Sequence, residues 1–106
     1  RFQTYLQGYF SSPSLAEKGI PTLQDCGQAL HISGSYLSDL LKSETGKSAK
    51  EHIYGYLIEI AKTTLLNSTL TIGEIANNLG YEYPQHFSKL FKSKTGMSPT
   101  EYRTVN

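Results

Sequence analysis

Polar and basic side chains recur at helical spacing in two short stretches of the sequence. One stretch contains a set spaced three or four residues apart: Gln85, Ser88, Lys89 and Lys92. Residues at this spacing share one face of a helix. Amide, hydroxyl and ammonium groups on such a face can bond to the edges of nucleic-acid bases and to phosphates. His86, at the start of the same helix, is a further candidate for phosphate contact. The other stretch offers a matching set: Ser35, Ser38, Asp39 and Lys42.

The sequence lacks the residue combinations that enzymes and metal sites use. It contains no recognisable pairing of a nucleophile with a base and no glycine-rich phosphate loop. The single cysteine, Cys26, and the three histidines are too scattered for a metal site. We therefore predict no catalytic residue, no metal and no cofactor. We expect Cys26 to be a small buried apolar residue.

An internal repeat explains why the two polar sets match. Residues 36–51 align with residues 86–101 at an offset of fifty positions, and eight of the sixteen pairs are identical. Upstream, a short apolar pattern also recurs, in which Gly27 corresponds to Ala76. Each copy predicts a short helix, a tight turn and a second helix, with a small residue where the helices cross. Apolar residues should fill the angle between them: Leu37, Leu40 and Leu41 in one copy, Phe87, Leu90 and Phe91 in the other.

Helix start signals are frequent, and strand signals are almost absent. Capping boxes, in which a Ser or Thr pairs with a Glu three positions later, begin at Ser48, Thr71 and Ser98, with a looser version at Thr22. Residues 11–21 have the composition of a loop. The pattern predicts an all-α fold of about seven helices. Their expected positions are near residues 2–11, 23–31, 34–44, 49–66, 72–79, 84–94 and 99–104.

The longest predicted helix connects the two copies. Its apolar residues cover one face and extend almost around it, which predicts burial on most sides. About 17 residues extend for roughly 25 Å, enough to hold two small units in one rigid body. We therefore divide the chain into an N-terminal helix and loop at 1–19 and a double helix-turn-helix domain at 20–106. The two units span about 20–48 and 69–104, and the linker helix spans about 49–66.

The turns and the charge distribution differ between the two units. Gly80 suits a turn that needs a positive φ, whereas His31 stands at the comparable place in the first unit. The net charge is +1 overall, but residues 1–83 carry −2 and residues 84–106 carry +3. A weak net charge also leaves open a protein-interaction module that does not read DNA. No apolar run reaches the roughly 18 residues of a membrane span. We expect a cytoplasmic fragment of a longer protein.

The signature of the second copy resembles a known family. Leu65 to Ala76, then Leu79-Gly80-Tyr81, His86 to Lys89, Phe91-Lys92 and Gly96 to Arg103 are similar to the AraC/XylS transcription regulators. The resemblance covers about residues 20–104. It implies that the predicted third and sixth helices insert into adjacent major grooves of double-stranded promoter DNA. It also implies RNA polymerase as a partner and a sensing or dimerising domain before Arg1.

The resemblance assigns the DNA contacts position by position and exposes three departures. Gln85, Ser88 and Lys89 fall where the family's second recognition helix touches bases and phosphates, and Ser35, Ser38 and Asp39 fall at the matching places of the first. An acid at Asp39 replaces a residue that is basic or an amide in many relatives. Pro84 removes one side-chain contact, and Leu57 replaces an arginine frequent in the linker helix. The departures concern the affinity of the first unit more than the fold.

Overall fold

Helices follow one another along the chain. The structure, a computed structural model, describes residues 1–105 apart from the side chain of Ser14, so Asn106, the end of the predicted second domain, lies outside it. Within this range there are eight α-helices and no strand. They are α1 (Phe2–Phe10), α2 (Ser14–Lys18), α3 (Leu23–Leu30), α4 (Gly34–Thr45), α5 (Ala49–Asn67), α6 (Ile72–Asn78), α7 (Pro84–Thr95) and α8 (Pro99–Val105). The all-α prediction is confirmed, and seven helices lie within one residue of the predicted bounds.

The additional helix, α2, lies in the segment predicted as a loop. It has only five residues, too few to be stable in isolation. Leu15 is buried in the common core with 4% of its surface exposed, and Gly19 ends the helix with a φ of 80°. The prediction of a loop was wrong for residues 14–18, because tertiary packing of Leu15, which local sequence signals do not report, stabilises α2.

The predicted capping boxes fix the starts of α3, α5, α6 and α8. In α6, the Thr71 backbone N–H donates to the Glu74 carboxylate at 2.8 Å, and the Glu74 N–H donates to the Thr71 hydroxyl at 3.0 Å. The same reciprocal bonds form at the other three starts, between Thr22 and Asp25, Ser48 and Glu51, and Ser98 and Glu101. The bond from the Thr71 backbone lowers the pKa of Glu74, because it stabilises the ionised form. Each box satisfies backbone donors that the first helical turn leaves open.

The central helix α5 carries the core. The apolar face predicted for it is buried: Ile53, Leu57, Ile58, Ala61 and Leu65. Helix α1 packs against α5 and α3 through Phe2, Leu6 and Phe10, and these join the same hydrophobic cluster. The N-terminal segment therefore shares one core with the two helix-turn-helix units. Burial of a large side chain of this kind contributes roughly 1.5–3 kcal/mol each.

The two helix-turn-helix units are α3–α4 and α6–α7. A Cβ built on Gly27 would lie 2.7 Å from the Ile32 carbonyl oxygen, so the predicted close approach of α3 to its turn and α4 is present. Both turns use a positive φ, 60° at His31 and 90° at Gly80. The prediction that Leu40 fills the angle between the two helices was wrong. The side chain is 36% exposed, because it lies on the flank of α4.

Arg103 closes the far end of α5. Its guanidinium donates to the carbonyl oxygens of Leu65 at 2.9 Å, Leu70 at 2.7 Å and Ser68 at 3.3 Å. The last carbonyls of a helix have no partner within the helix, so the five N–H groups of arginine are well suited to this place. Arg103 therefore holds α8 against the α5–α6 connection, and its charge is committed to the fold.

Candidate nucleic-acid interface

Helix α4 presents the first predicted set of polar side chains. The Ser33 hydroxyl accepts from the Tyr36 N–H at 3.0 Å and starts the helix, while Leu37 and Leu41 anchor its inner face in the core. Three predicted contact residues are exposed on the outer face: Ser35, Asp39 and Lys42. Ser38 is half-buried and lines a groove together with Lys50 and Tyr54 of α5. The structure thus brings the predicted residues together on one helix, with Ser38 the least accessible.

Helix α7 presents the second set in the same arrangement. Pro84 occupies its first turn, and the buried rings of Phe87 and Phe91 anchor it. Four predicted residues are exposed: Gln85, His86, Lys89 and Lys92. Ser88 is half-buried, as is its repeat partner in α4. The two sets therefore have matching geometry, and they differ in the chemistry of the exposed groups.

The exposed charges of these helices are free to meet a ligand. Among residues 1–105 a single ion pair is present, between Lys62 and Glu59 at 3.3 Å, and it lies on α5. Neither α4 nor α7 has an acid in its first turn. Helix N-termini attract anions, so these starts favour phosphate groups nearby. Lys89, Lys92 and the groups around them can therefore bond phosphates without first breaking an ion pair.

Two exposed tyrosines were missed by the sequence analysis. Tyr36 on α4 is 57% exposed, and Tyr83 at the start of α7 is 50% exposed. The Tyr83 ring contacts the His86 imidazole edge-on, with 5.5 Å between the ring centres. The repeat offered a signal, because Tyr36 aligns with His86 at the fifty-residue offset. Each unit thus carries an exposed tyrosine near the start of its outward-facing helix.

A pair of lysines shares one aromatic ring between the units. The ammonium of Lys50 lies 5.8 Å from the centre of the Tyr54 ring, and that of Lys94 lies 5.9 Å from it. Both distances are in the range of cation–π attraction. The sequence offered only the spacing of four between Lys50 and Tyr54, and nothing in it placed Lys94 beside them. This contact joins α5 to α7.

The remaining groups with reactive chemistry are structural. Cys26 is fully buried as predicted, and burial raises the pKa of its thiol to about 11. Tyr81 and Tyr102 pack by their rings against Phe87 and Phe91, at 5.8 and 5.5 Å. Among residues 1–105 no three His, Cys, Asp or Glu side chains are grouped to hold a metal ion. In the same range, no helix has the length and apolar character needed to cross a membrane.

Comparison with known proteins gives consistent matches. A family described as "Helix-turn-helix domain" matches residues 26–104. The chain is 34% identical over 82 residues to an uncharacterized HTH-type transcriptional regulator, YtdP of Bacillus subtilis, covering 77% of this chain and 11% of that protein. It is 37% identical over 78 residues to the xylose operon regulatory protein of Escherichia coli, covering 74% of this chain and 20% of that protein. The chain therefore spans a small part of the length of these relatives.

A solved structure extends the match to the whole fold. The C-terminal domain of AraT, a response regulator from Geobacillus stearothermophilus, superposes with a TM-score of 0.85 at 35% identity. The match covers 100% of this chain and 83% of that one. The relatives are transcription regulators, so the prediction that the chain is not an enzyme is confirmed. With the family match covering most of its length and two helix-turn-helix units on one linker helix, the chain belongs to the AraC/XylS family of helix-turn-helix transcription regulators.

Proposed function

We propose that this domain binds double-stranded promoter DNA by inserting α4 and α7 into successive major grooves. The observation that carries the proposal is the pair of matching exposed faces on helices anchored to one core. Successive major grooves on one side of B-DNA lie about 34 Å apart. The longest dimension of the domain is 41 Å, which suits that separation.

The exposed side chains suggest distinct contacts for the two helices. Gln85 can bond an adenine edge in two places, and Lys89 can donate to the two acceptors of guanine. Lys92 and His86 are suited to phosphates. On α4, Ser35 and Ser38 are small groups that can donate or accept, and Lys42 is suited to a phosphate. Asp39 can accept from a base amino group, such as that of cytosine.

The wider setting of the domain follows the family. We propose a sensing or dimerising domain before Arg1, because the chain spans only 11% and 20% of the lengths of the two relatives named above. RNA polymerase is the expected protein partner of a regulator bound at a promoter, and the cytoplasm, where bacterial DNA lies, is the expected compartment. The matched relatives include a protein named as the regulator of a xylose operon.

An interaction module without DNA readout is the second candidate. The observation in its favour is an apolar groove of about 590 Å³ on the first unit, bordered by the exposed side chains of Tyr36 and Leu40. Exposed apolar groups at a groove are common at protein contacts. The net charge of +1 is also low for a nucleic-acid-binding domain.

The salt dependence of binding to duplex DNA distinguishes the two candidates. Neutralising phosphates releases condensed counterions, so affinity should fall steeply as salt rises. For contacts to roughly 4–7 phosphates, a plot of log affinity against log salt should have a slope of about −4 to −6. Fluorescence anisotropy on a duplex selected from a random pool, and on a scrambled one, provides the measurement. A slope near zero on both would reject DNA binding and favour the interaction module.

A further inference from the structure

We propose that Lys50, Tyr54 and Lys94 form a phosphate-binding site that holds the DNA backbone between the two major grooves. The proposal rests on the DNA-binding function above and adds a contact outside both recognition faces. It also gives the linker helix a direct part in binding, because Lys50 and Tyr54 belong to α5. The ligand is a backbone phosphate, so the contact should be independent of base sequence.

The charges at this site are uncompensated. Lys50 and Lys94 are exposed, and across residues 1–105 neither ammonium has a carboxylate within ion-pair distance. The Tyr54 ring attracts both, at 5.8 and 5.9 Å, and so collects two positive charges around one ring. A backbone phosphate that lies against this ring has two unesterified oxygens, one for each lysine, and its negative charge offsets the positive charge collected there.

The position of the site is between the two recognition helices. On one side, Lys50 and Tyr54 line a groove of about 400 Å³ together with Ser38 of α4. On the other side, Lys94 belongs to α7. Tyr54 is also close enough to Tyr81, in the turn before α7, to contribute to the raised pKa of that residue after the larger effect of burial. The cluster therefore connects the flank of the first unit with the second.

DNA geometry places backbone phosphates between two such recognition helices. When two helices enter successive major grooves on one side of the duplex, the stretch between them turns a minor groove and its flanking phosphates toward the protein. Long lysine side chains lose conformational freedom on binding. Because the ring already restrains both ammonium groups, less freedom remains to be lost when phosphate binds.

Salt dependence of the lysine variants tests the site. Lys50→Ala and Lys94→Ala should each make the log–log slope less negative by about 1, and the double variant by about 2. The loss of affinity should be equal on the selected and the scrambled duplex. Lys62→Ala is the matched control, because Lys62 lies on the same helix but is paired with Glu59. Circular dichroism and thermal melting should show the wild-type fold for each of these surface variants.

A neutral methylphosphonate at each phosphate between the two half-sites locates the contact. The wild-type domain should bind more weakly when one or two of these phosphates are replaced. The double lysine variant should bind the modified and the unmodified duplex with equal affinity, because it no longer makes the contact. Tyr54→Phe, which keeps the ring, should retain the wild-type slope, whereas Tyr54→Leu should lose part of it. A double variant with the slope of Lys62→Ala, or methylphosphonate effects that simply add to the lysine effects, would overturn the site while leaving DNA binding intact. A wild-type slope near zero would instead reject the proposed function itself.

Discussion

The two helix-turn-helix units share a scaffold and differ in what they present. Their buried positions correspond, with Leu37 and Leu41 in α4 matched by Phe87 and Phe91 in α7. Their exposed faces have opposite charge. Helix α4 carries two acids, Asp39 and Glu44, against one lysine, a net −1, whereas α7 carries three lysines and no acid, a net +3 with His86 counted neutral. Packing in the core keeps the buried positions of the two units alike, whereas the exposed positions can differ in charge.

The turns differ in their surroundings as well as in residue type. An equivalent backbone hydrogen bond closes each turn. The Ile32 N–H donates to the Gly27 carbonyl oxygen at 2.9 Å, and the Tyr81 N–H donates to the Ala76 carbonyl oxygen at 2.9 Å. His31 is exposed, whereas Gly80 lies directly under the α2 segment. A Cβ built there would lie 2.5 Å from the Leu15 carbonyl oxygen and 2.6 Å from the Gly19 Cα. The second turn is therefore packed closely against the α2 segment, whereas at the first turn the Leu30 carbonyl oxygen accepts a hydrogen bond from the Arg1 guanidinium at 3.1 Å.

The largest expected effect is therefore at Gly80. Gly80→Ala requires a side chain in the left-handed region and pushes it into the backbone of residues 15–19. We expect the free energy of unfolding to fall by about 2–4 kcal/mol, from backbone strain and overpacking together. Chemical denaturation measures the loss.

Gly96→Ala is the matched control for this prediction. Gly96 has a φ of 84°, but its Cβ would meet nothing within 4 Å, so the variant should lose only the backbone part, about 1 kcal/mol. Equal losses at the two glycines would show that the α2 segment moves aside easily. In that case the second turn would not be a packing surface.

The next effect concerns DNA affinity and compares Lys89 with Asp39, which occupy equivalent places on α7 and α4. Lys89→Ala should cost about 1–3 kcal/mol of binding free energy if the ammonium reads a guanine, and it should relax the preference at that base. Asp39→Ala should leave affinity unchanged or raise it on non-specific DNA, because repulsion between carboxylate and phosphate disappears. Fluorescence anisotropy at fixed salt, on selected and scrambled duplexes, measures both.

Asp39→Asn serves as the control for this pair, because it removes the charge and keeps an oxygen acceptor of the same size. If Asp39 accepts a bond from a base amino group, the amide should keep part of the base preference that alanine loses. A greater loss on the selected duplex from Asp39→Ala than from Lys89→Ala would make the first unit the principal reader. The assignment of affinity to the second unit would then be reversed.

The helices were predictable because their signals are local. Capping boxes at Ser48, Thr71 and Ser98 are complete within four residues. The repeat at an offset of fifty residues predicted the same helix-turn-helix arrangement for both units. The exposed faces of α4 and α7 followed from helical periodicity for the same reason. The residues predicted for DNA contact do lie together on those faces, and their contacts with DNA remain predictions.

The features that were missed depend on residues distant in sequence. Helix α2 is stabilised by Leu15 in a core that the rest of the chain builds, and Leu40 is exposed because the groove beside it is left open. The contact of Lys94 with Tyr54 joins residues forty positions apart, on two helices that are brought near each other by the packing of α6 and α8 on both. Arg103 was counted with the positive charges of the C-terminal segment. Its guanidinium instead bonds to the end of α5, so its role is structural.

The smallest expected effect is at the other turn, where His31 holds a φ of 60° that glycine adopts more easily. His31→Gly removes backbone strain of about 1–2 kcal/mol but adds conformational freedom to the unfolded chain, worth roughly 0.5–1 kcal/mol. The net should be a gain in unfolding free energy of about 0–1.5 kcal/mol. His31→Ala is the control, because it keeps the left-handed strain and removes the imidazole. DNA affinity should stay the same, since the turn lies outside the predicted contact set.

If the glycine variant is destabilised by 1 kcal/mol or more while the alanine variant is not, strain at His31 is negligible. The two turns would then differ only in the contact that Gly80 makes with the N-terminal segment.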